Sequence, residues 1–344
     1  MTTVADGLFQ YGGMPVGVNG LPAPFTGTSW FVDPVYGADG NSGLAPNRAF
    51  ATLYQAVNKA KSGNNDVVYL ISDGTSGSSA RLSLALAQSI TPSATVGTLL
   101  WNKNALHLVG VCSGSNNPRA RMAPPTGTYL ESTFASPNFV TVSGAGCFFY
   151  NISAYHGFST GAAGMICWTD TGQRNTYVNC AFQGMNDTTS AASATSRSLV
   201  VGSAGNGENR FVRCIIGDDT TPRTAANASL ELTGGTPRNS FEDCIFPSND
   251  HDAGGCLTIL GTGTSCIDRW NQFVRCTFVN VIKSGATTST VLASLGSASP
   301  GGLLIFKDCD TIGFTKIGDA NALANSYVSN VGGAATGGLD VNPS

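Results

Sequence analysis

The 344-residue chain has little charge. Asp, Glu, Lys and Arg together make up 11% of it, under half of the roughly 25% usual for soluble domains. Lys plus Arg number 18 and Asp plus Glu 21, so the net charge is 18 − 21 = −3, and no basic run occurs. A nucleic-acid binder needs a basic face to neutralise phosphates, so no nucleic-acid partner is expected. No apolar stretch approaches the ~18 residues of a membrane span. The opening MTTVADGLFQYGG carries neither the basic region nor the apolar region of a secretory leader. Those two absences predict a protein made and kept in a cytoplasm, with no membrane partner. The ten cysteines form no CxxC pair and, with three histidines, no zinc-type spacing. Neither a metal nor a cofactor is expected.

Glycine is abundant instead, at 43 residues, and with 15 prolines makes 43 + 15 = 58 of 344. That is about 17%, short of the ~25–30% that marks disorder. With 42% apolar residues the chain can build a long core, under a surface of Ser, Thr, Asn and Gly.

Five cysteines sit in one recurring phrase. It reads NTYVNCAF from Asn175, NRFVRCII from Asn209, NSFEDCIF from Asn239 and NQFVRCTF from Asn271. A degenerate copy, LLIFKDCDT, surrounds Cys309, and CFFYNISA places Ile152 where the others have Cys. Cys180, Cys214, Cys244, Cys276 and Cys309 are spaced 34, 30, 32 and 33 residues apart. A period of this size predicts stacked units, each burying its apolar face against its neighbours.

Within each copy an aromatic precedes the Cys by three residues, which strict strand alternation would put on opposite faces. Both point inward only if the chain bends between them. The residue before the Cys position is Asn151, Asn179, Arg213, Asp243, Arg275 or Asp308, and Asn and Asp tolerate the left-handed conformation that a one-residue bend needs. Each copy is therefore read as strand, bend, strand. A second apolar run precedes each corner: GMICW at 164–168, SLVV at 198–201, SLEL at 229–232, CLTIL at 256–260 and TVLASL at 290–295. Two or three short strands per ~32 residues describe a parallel β-solenoid; a propeller blade would need four strands in ~40–45. Six copies at the ~4.8 Å strand spacing give a body of roughly 30 Å before the N-terminal coils are added.

Upstream, Phe50, Leu53, Val57 and Ala60 fall on one helical face, with Asn47 as expected N-cap and Gly63 as stop. A helix near 48–61 would cap the first open sheet edge. DVVYLI at 66–71 and LHLVGV at 106–111 are expected as buried strands.

The order VDP…G.DGN.G…FATL..AV..A…VVYL, followed by rungs ending in F..C.F, resembles the right-handed parallel β-helix family, the pectate-lyase-like fold. The likeness covers about residues 30–318. It implies an all-β, single-stranded right-handed parallel β-helix with a short N-terminal capping helix and extended terminal arms. The segment GLFQYGGMPVG resembles the anchoring arms of tailed-phage virion proteins. The organisation expected is an anchoring arm over 1–29, the β-helix over 30–318 and a Gly/Ala/Asn-rich tail over 319–344.

Most residues that could carry chemistry have a structural explanation. The cysteine column is expected to be reduced and buried, because stacked Cβ vectors run side by side. Arg213, Asp243, Arg275 and Asp308 are expected as a surface charge ladder. Glycan hydrolysis needs two flanking carboxylates, and Asp218–Asp219 and Asp250–His251–Asp252 are the available pairs. They are read as turn residues, since Glu occurs only at 131, 208, 231 and 242 and no acidic set recurs at matching rung positions. The resemblance implies acidic calcium ligands with a basic proton acceptor in lyases of the family; no such set is found. His107, His156 and His251 are scattered, and GSAGNG at 202–207 and GTGTS at 261–265 open no helix, so they read as turns. No catalytic residue is assigned.

The arm holds Leu8, Phe9, Tyr11, Met14 and Phe25 among Gly and Pro; these are expected to anchor on partner subunits. The expectation is thus a non-enzymatic virion protein, a capsid decoration or cement protein. It would be a homotrimer anchored on the major capsid protein or other virion subunits, assembled in the host cytoplasm and displayed on the capsid surface. The alternative is a tailspike- or fibre-like enzyme that degrades host surface polysaccharide, or a glycan-binding adhesin.

Overall fold

The computed structural model describes residues 10–11, 14–15, 25–72, 98–112, 119–122, 138–156, 163–202, 205–250, 256–281, 291–297, 300–314, 316–329 and 332–333. Leu8, Phe9, His251 and Asp252 lie outside the described residues, as do 334–344 of the expected tail.

The repeated phrase folds as a corner. Thr176–Val178 runs into Asn179, and Ala181–Gln183 leaves in a new direction. Asn179 takes φ 54°, and Asn151, Arg213, Asp243, Arg275 and Asp308 take 57, 52, 53, 51 and 53°. This left-handed step brings the aromatic and the Cys to the same side: Phe211 and Cys214 are both buried. Corners stack because neighbouring strands pair in parallel, Tyr177 opposite Phe211, Phe211 opposite Phe241, and Phe241 opposite Phe273.

Among the described residues the strands form three parallel sheets wrapped around one core. The first sheet, eleven-stranded, runs from Ser29–Val32 to Ser326–Ser329 and carries the aromatic column. The second, nine-stranded, begins at Ala120–Met122 and follows each corner. The third, eight-stranded, begins at Leu99–Trp101 and contains the second apolar runs. The chain is a right-handed parallel β-helix, as the resemblance implies.

Three ladders run up the interior. Phe149, Tyr177, Phe211, Phe241, Phe273 and Phe306 stack with centroids 4.7, 4.6, 4.7, 4.8 and 5.1 Å apart and planes within 12° of parallel. The five cysteines are free and buried. Each thiol points back at the carbonyl of the aromatic one coil before: Cys180 to Phe149, Cys214 to Tyr177, Cys244 to Phe211, Cys276 to Phe241 and Cys309 to Phe273, at 3.3–3.6 Å. The Asn that opens each phrase makes the third ladder. Its Oδ1 accepts the backbone N–H of the equivalent residue below: Asn209 from Asn175, Asn239 from Asn209, Asn271 from Asn239. Burial makes these bonds obligatory for the corner.

Three boundaries differ from expectation. The capping helix is Leu53–Lys59 and its N-cap is Thr52, whose hydroxyl accepts from the Gln55 N–H. Asn47 sits instead in a separate 3-10 turn, Pro46–Arg48. The β-helix does not stop at 318, because Ser326–Ser329 adds a further strand to the first sheet. It also begins before residue 30. The Thr28 N–H donates to Asp66 at 2.7 Å, and the Phe25 ring lies 4.9 Å from His107 and 6.1 Å from Phe148. Phe25 thus packs on its own chain. Tyr11 is in register with Met14 in a short antiparallel pair, Gln10–Tyr11 with Met14–Pro15.

Candidate functional site

The second sheet presents a polar cluster on its outer face. Ile152 and Ala154 point into the core, so Ser153 and Tyr155 between them point out. Ser153 pairs with Arg121 in the strand before, and Tyr155 with Gln183 in the strand after. One coil further, Gly217 occupies the position of Gln183 and Asp218 follows it. Gly217 takes φ 114°, and a Cβ there would meet the Pro247 carbonyl oxygen and the Ser229 side chain, so glycine is required. That kink places Asp218 beside Gln183.

The contacts are direct. Gln183 donates from Nε2 to Asp218 at 3.1 Å and accepts from the Ser153 hydroxyl at 3.3 Å. The Arg121 guanidinium lies 4.2 Å from the centroid of the Tyr155 ring, within the range of a cation–π contact. Asp187 closes one side as N-cap of the helix Thr188–Ala191, accepting from the Thr189 and Ser190 N–H groups at 2.9 Å. The last residue of that helix in turn accepts from the Thr224 N–H, just beyond the strand Asp218–Arg223.

Burial raises the Asp218 carboxyl above the ordinary carboxylate range, and the neighbouring Asp219 charge adds to this; bonds from Thr220 and Gln183 oppose it. Burial also raises the Tyr155 hydroxyl, with Asp218 and Asp187 in the same direction and Arg121 against them. The cluster therefore combines a carboxyl raised by burial, a phenol raised likewise, a guanidinium and an amide. Acid–base work on a polar substrate needs such a set.

Asp218 was expected in a loop as a turn residue; it opens a strand and belongs to this cluster. Arg121, Ser153, Tyr155 and Gln183 were not singled out from the sequence. A signal exists: Tyr155 and Gln183 both stand three residues after the Cys position of the phrase. Asp250 is corrected the other way, being fully buried in an ion pair with Arg223. His107 lies under Phe25, and its Nδ1 accepts from the Phe148 N–H at 3.1 Å. Burial lowers it to about 4. His156 stacks on Phe139 at 5.4 Å. The corner charges form a surface ladder, with Arg275 donating twice to Asp243 at 2.6 and 3.1 Å. Among the described residues no group of three or more His, Cys, Asp or Glu is placed to hold a metal, and no helix is long and apolar enough to cross a membrane.

No family model matches the chain, and no curated protein matches it by sequence. Solved structures share its fold. A pectin methylesterase from Aspergillus niger superposes with a TM-score of 0.54 at 15% identity, covering 93% of this chain and 91% of that one. Pectate lyase Pel9A gives 0.55 at 15% identity, over 93% and 74%. A rice weevil pectin methylesterase gives 0.51 at 13% identity, over 83% and 87%. The expectation of a non-enzymatic protein is corrected by these neighbours, which are enzymes.

Proposed function

We propose that the protein is a polysaccharide-degrading enzyme, working on the outer face of the second sheet with Asp218 as proton carrier. The observation that carries this is the part-buried Asp218 carboxyl, hydrogen-bonded to Gln183 on the sheet face that also presents Tyr155 under the Arg121 guanidinium. A carboxyl that keeps its proton nearer neutral pH can donate it to a leaving oxygen. Gln183 and Ser153 orient the substrate, and Arg121 supplies positive charge where negative charge develops. The fold it shares with pectin methylesterases and a pectate lyase supports an activity on glycans. The setting we propose is a tailed-phage particle, in a tailspike- or fibre-like role, as a homotrimer attached to other virion subunits through the arm-like segment before Phe25.

The test is loss of chain length in purified bacterial surface polysaccharides, read by size-exclusion chromatography. Wild type should shorten at least one polymer. Asp218→Asn should slow that reaction roughly 10²–10⁴-fold with no loss of melting temperature, since its carboxyl is already disfavoured as a charge. A chain beginning at Phe25 should cleave normally and lose attachment to particles. Binding without shortening would make the protein an adhesin, and full activity in Asp218→Asn would remove Asp218 from the mechanism.

A further inference from the structure

The face that carries Asp218 changes character immediately beyond it. The outward residues are Ile215 (which precedes Asp218 on its own coil), Ile245, Thr277 and Asp310 in one column, and Pro247, Val279 and Ile312 in the other. Their inward neighbours Ile216, Phe246 and Phe278 are fully buried, which fixes the outward direction of the first set. Ile245 and Ile312 are each 45% exposed, far more than apolar side chains with a covering partner on the same chain. At ~4.8 Å per rung the strip runs about 14 Å along the axis from the Asp218 coil. It belongs to the same sheet as the polar cluster, so a chain gripped at Asp218 and running along the axis lies over it.

We propose that this strip recognises a glycan whose repeat carries a methyl-bearing substituent: an O-acetyl group, an N-acetyl group or the C6 methyl of a deoxy sugar. The inference rests on the glycan-cleaving reading of the Asp218 cluster. An unsubstituted hexose turns mainly hydroxyls to its surroundings, and branched aliphatic side chains return none of the hydrogen bonds those hydroxyls lose. A methyl group gains from the same contact. Among the described residues the strip contains no aromatic face on which a bare sugar ring could stack, which separates it from a general sugar platform. The exposed apolar surface is continuous with the site, so its occupant is the substrate that the site holds.

The experiment compares binding to immobilised polymers in matched pairs: acetylated xylan with its alkali-deacetylated form, chitin with chitosan, and a fucan with a mannan. The pairs distinguish O-acetyl, N-acetyl and deoxy-sugar methyl groups. Wild type should prefer the methyl-bearing member of at least one pair by fourfold or more, the effect of burying about one methyl group. Ile245→Ser and Ile312→Ser should abolish that preference. Leu303→Ser, at an equally exposed residue (46%) of the first sheet, should leave it intact. Equal binding within every pair, or a preference that survives Ile245→Ser, overturns the proposal while cleavage dependent on Asp218 stands. No binding and no cleavage of any polymer overturns both.

Discussion

Asp170 ends a strand of the third sheet, fully buried, and accepts from the Tyr177 hydroxyl at 2.7 Å, from Asn175 and from the Gly172 N–H. Burial outweighs those bonds and raises its carboxyl to about 6. The folded protein therefore holds this proton more tightly than the unfolded chain does. The stabilisation is complete below about pH 4 and is lost as pH rises through 6, by roughly 3 kcal/mol for a shift of this size. Wild type should lose melting temperature across that window relative to Asp170→Asn, whose profile lacks the step; parallel profiles would show that Asp170 titrates normally. The cysteines make a second case. Burial pushes the Cys180 and Cys244 thiols up, which keeps them protonated and unreactive. Cys244→Ala should cost about 1–2 kcal/mol for the void it leaves. Dithiothreitol should not move the melting temperature, and a large drop would mean disulfides.

At the scale of the element, the corner was legible because its chemistry repeats. Five cysteines 30 to 34 residues apart, each with an aromatic three before it and Asn, Asp or Arg just before it, mark a single conformation, which the sixth copy, with Ile152 in the Cys place, also adopts. The Asn that opens the phrase was equally visible, but its purpose was not. A buried amide bonding to the next coil's backbone depends on register, which the spacing does not state. Asn239→Ala should therefore destabilise by about 1–3 kcal/mol, by orphaning the buried Asn209 N–H and the Thr236 hydroxyl. An exposed change in the charge ladder, such as Asp243→Ala, should stay within about 1 kcal/mol. Equal effects in urea unfolding would deny the amide ladder its role. The site was hidden for a related reason. No acid residue recurs at matching positions, because Gly217 shifts Asp218 one place beyond the equivalents Tyr155 and Gln183. Reading the third residue after each Cys would have exposed the whole face: Tyr155, Gln183, Gly217, Pro247, Val279 and Ile312.

For the whole molecule, the question is where the self-standing body begins. The first strand, Ser29–Val32, pairs with Val67–Ser72, which would place the boundary at Ser29. Side chains place it earlier. Asp66 is buried, and burial alone would raise its carboxyl. Bonds from the Lys61 and Thr28 N–H groups, Asn64 and Trp30 hold it below the ordinary carboxylate range. Thr28 is one of those donors, and Phe25 covers His107, which is nearly fully buried and neutral. A chain beginning at Phe25 should accordingly melt with the full-length protein. One beginning at Ser29 loses the Thr28 bond to a buried carboxylate and the cover over His107, together worth roughly 2–4 kcal/mol. Its melting temperature should fall by several degrees at neutral pH. The fall should shrink on acidification, because an uncovered His107 regains a pKa nearer its unfolded 6.5, whereas the covered one, at about 4, makes the longer chain lose stability as pH drops from 6.5 towards 4. Identical melting of the two truncated chains at neutral and acidic pH would return residues 25–28 to the arm. A lower melting point for the chain starting at Phe25 would extend the body into the segment before it.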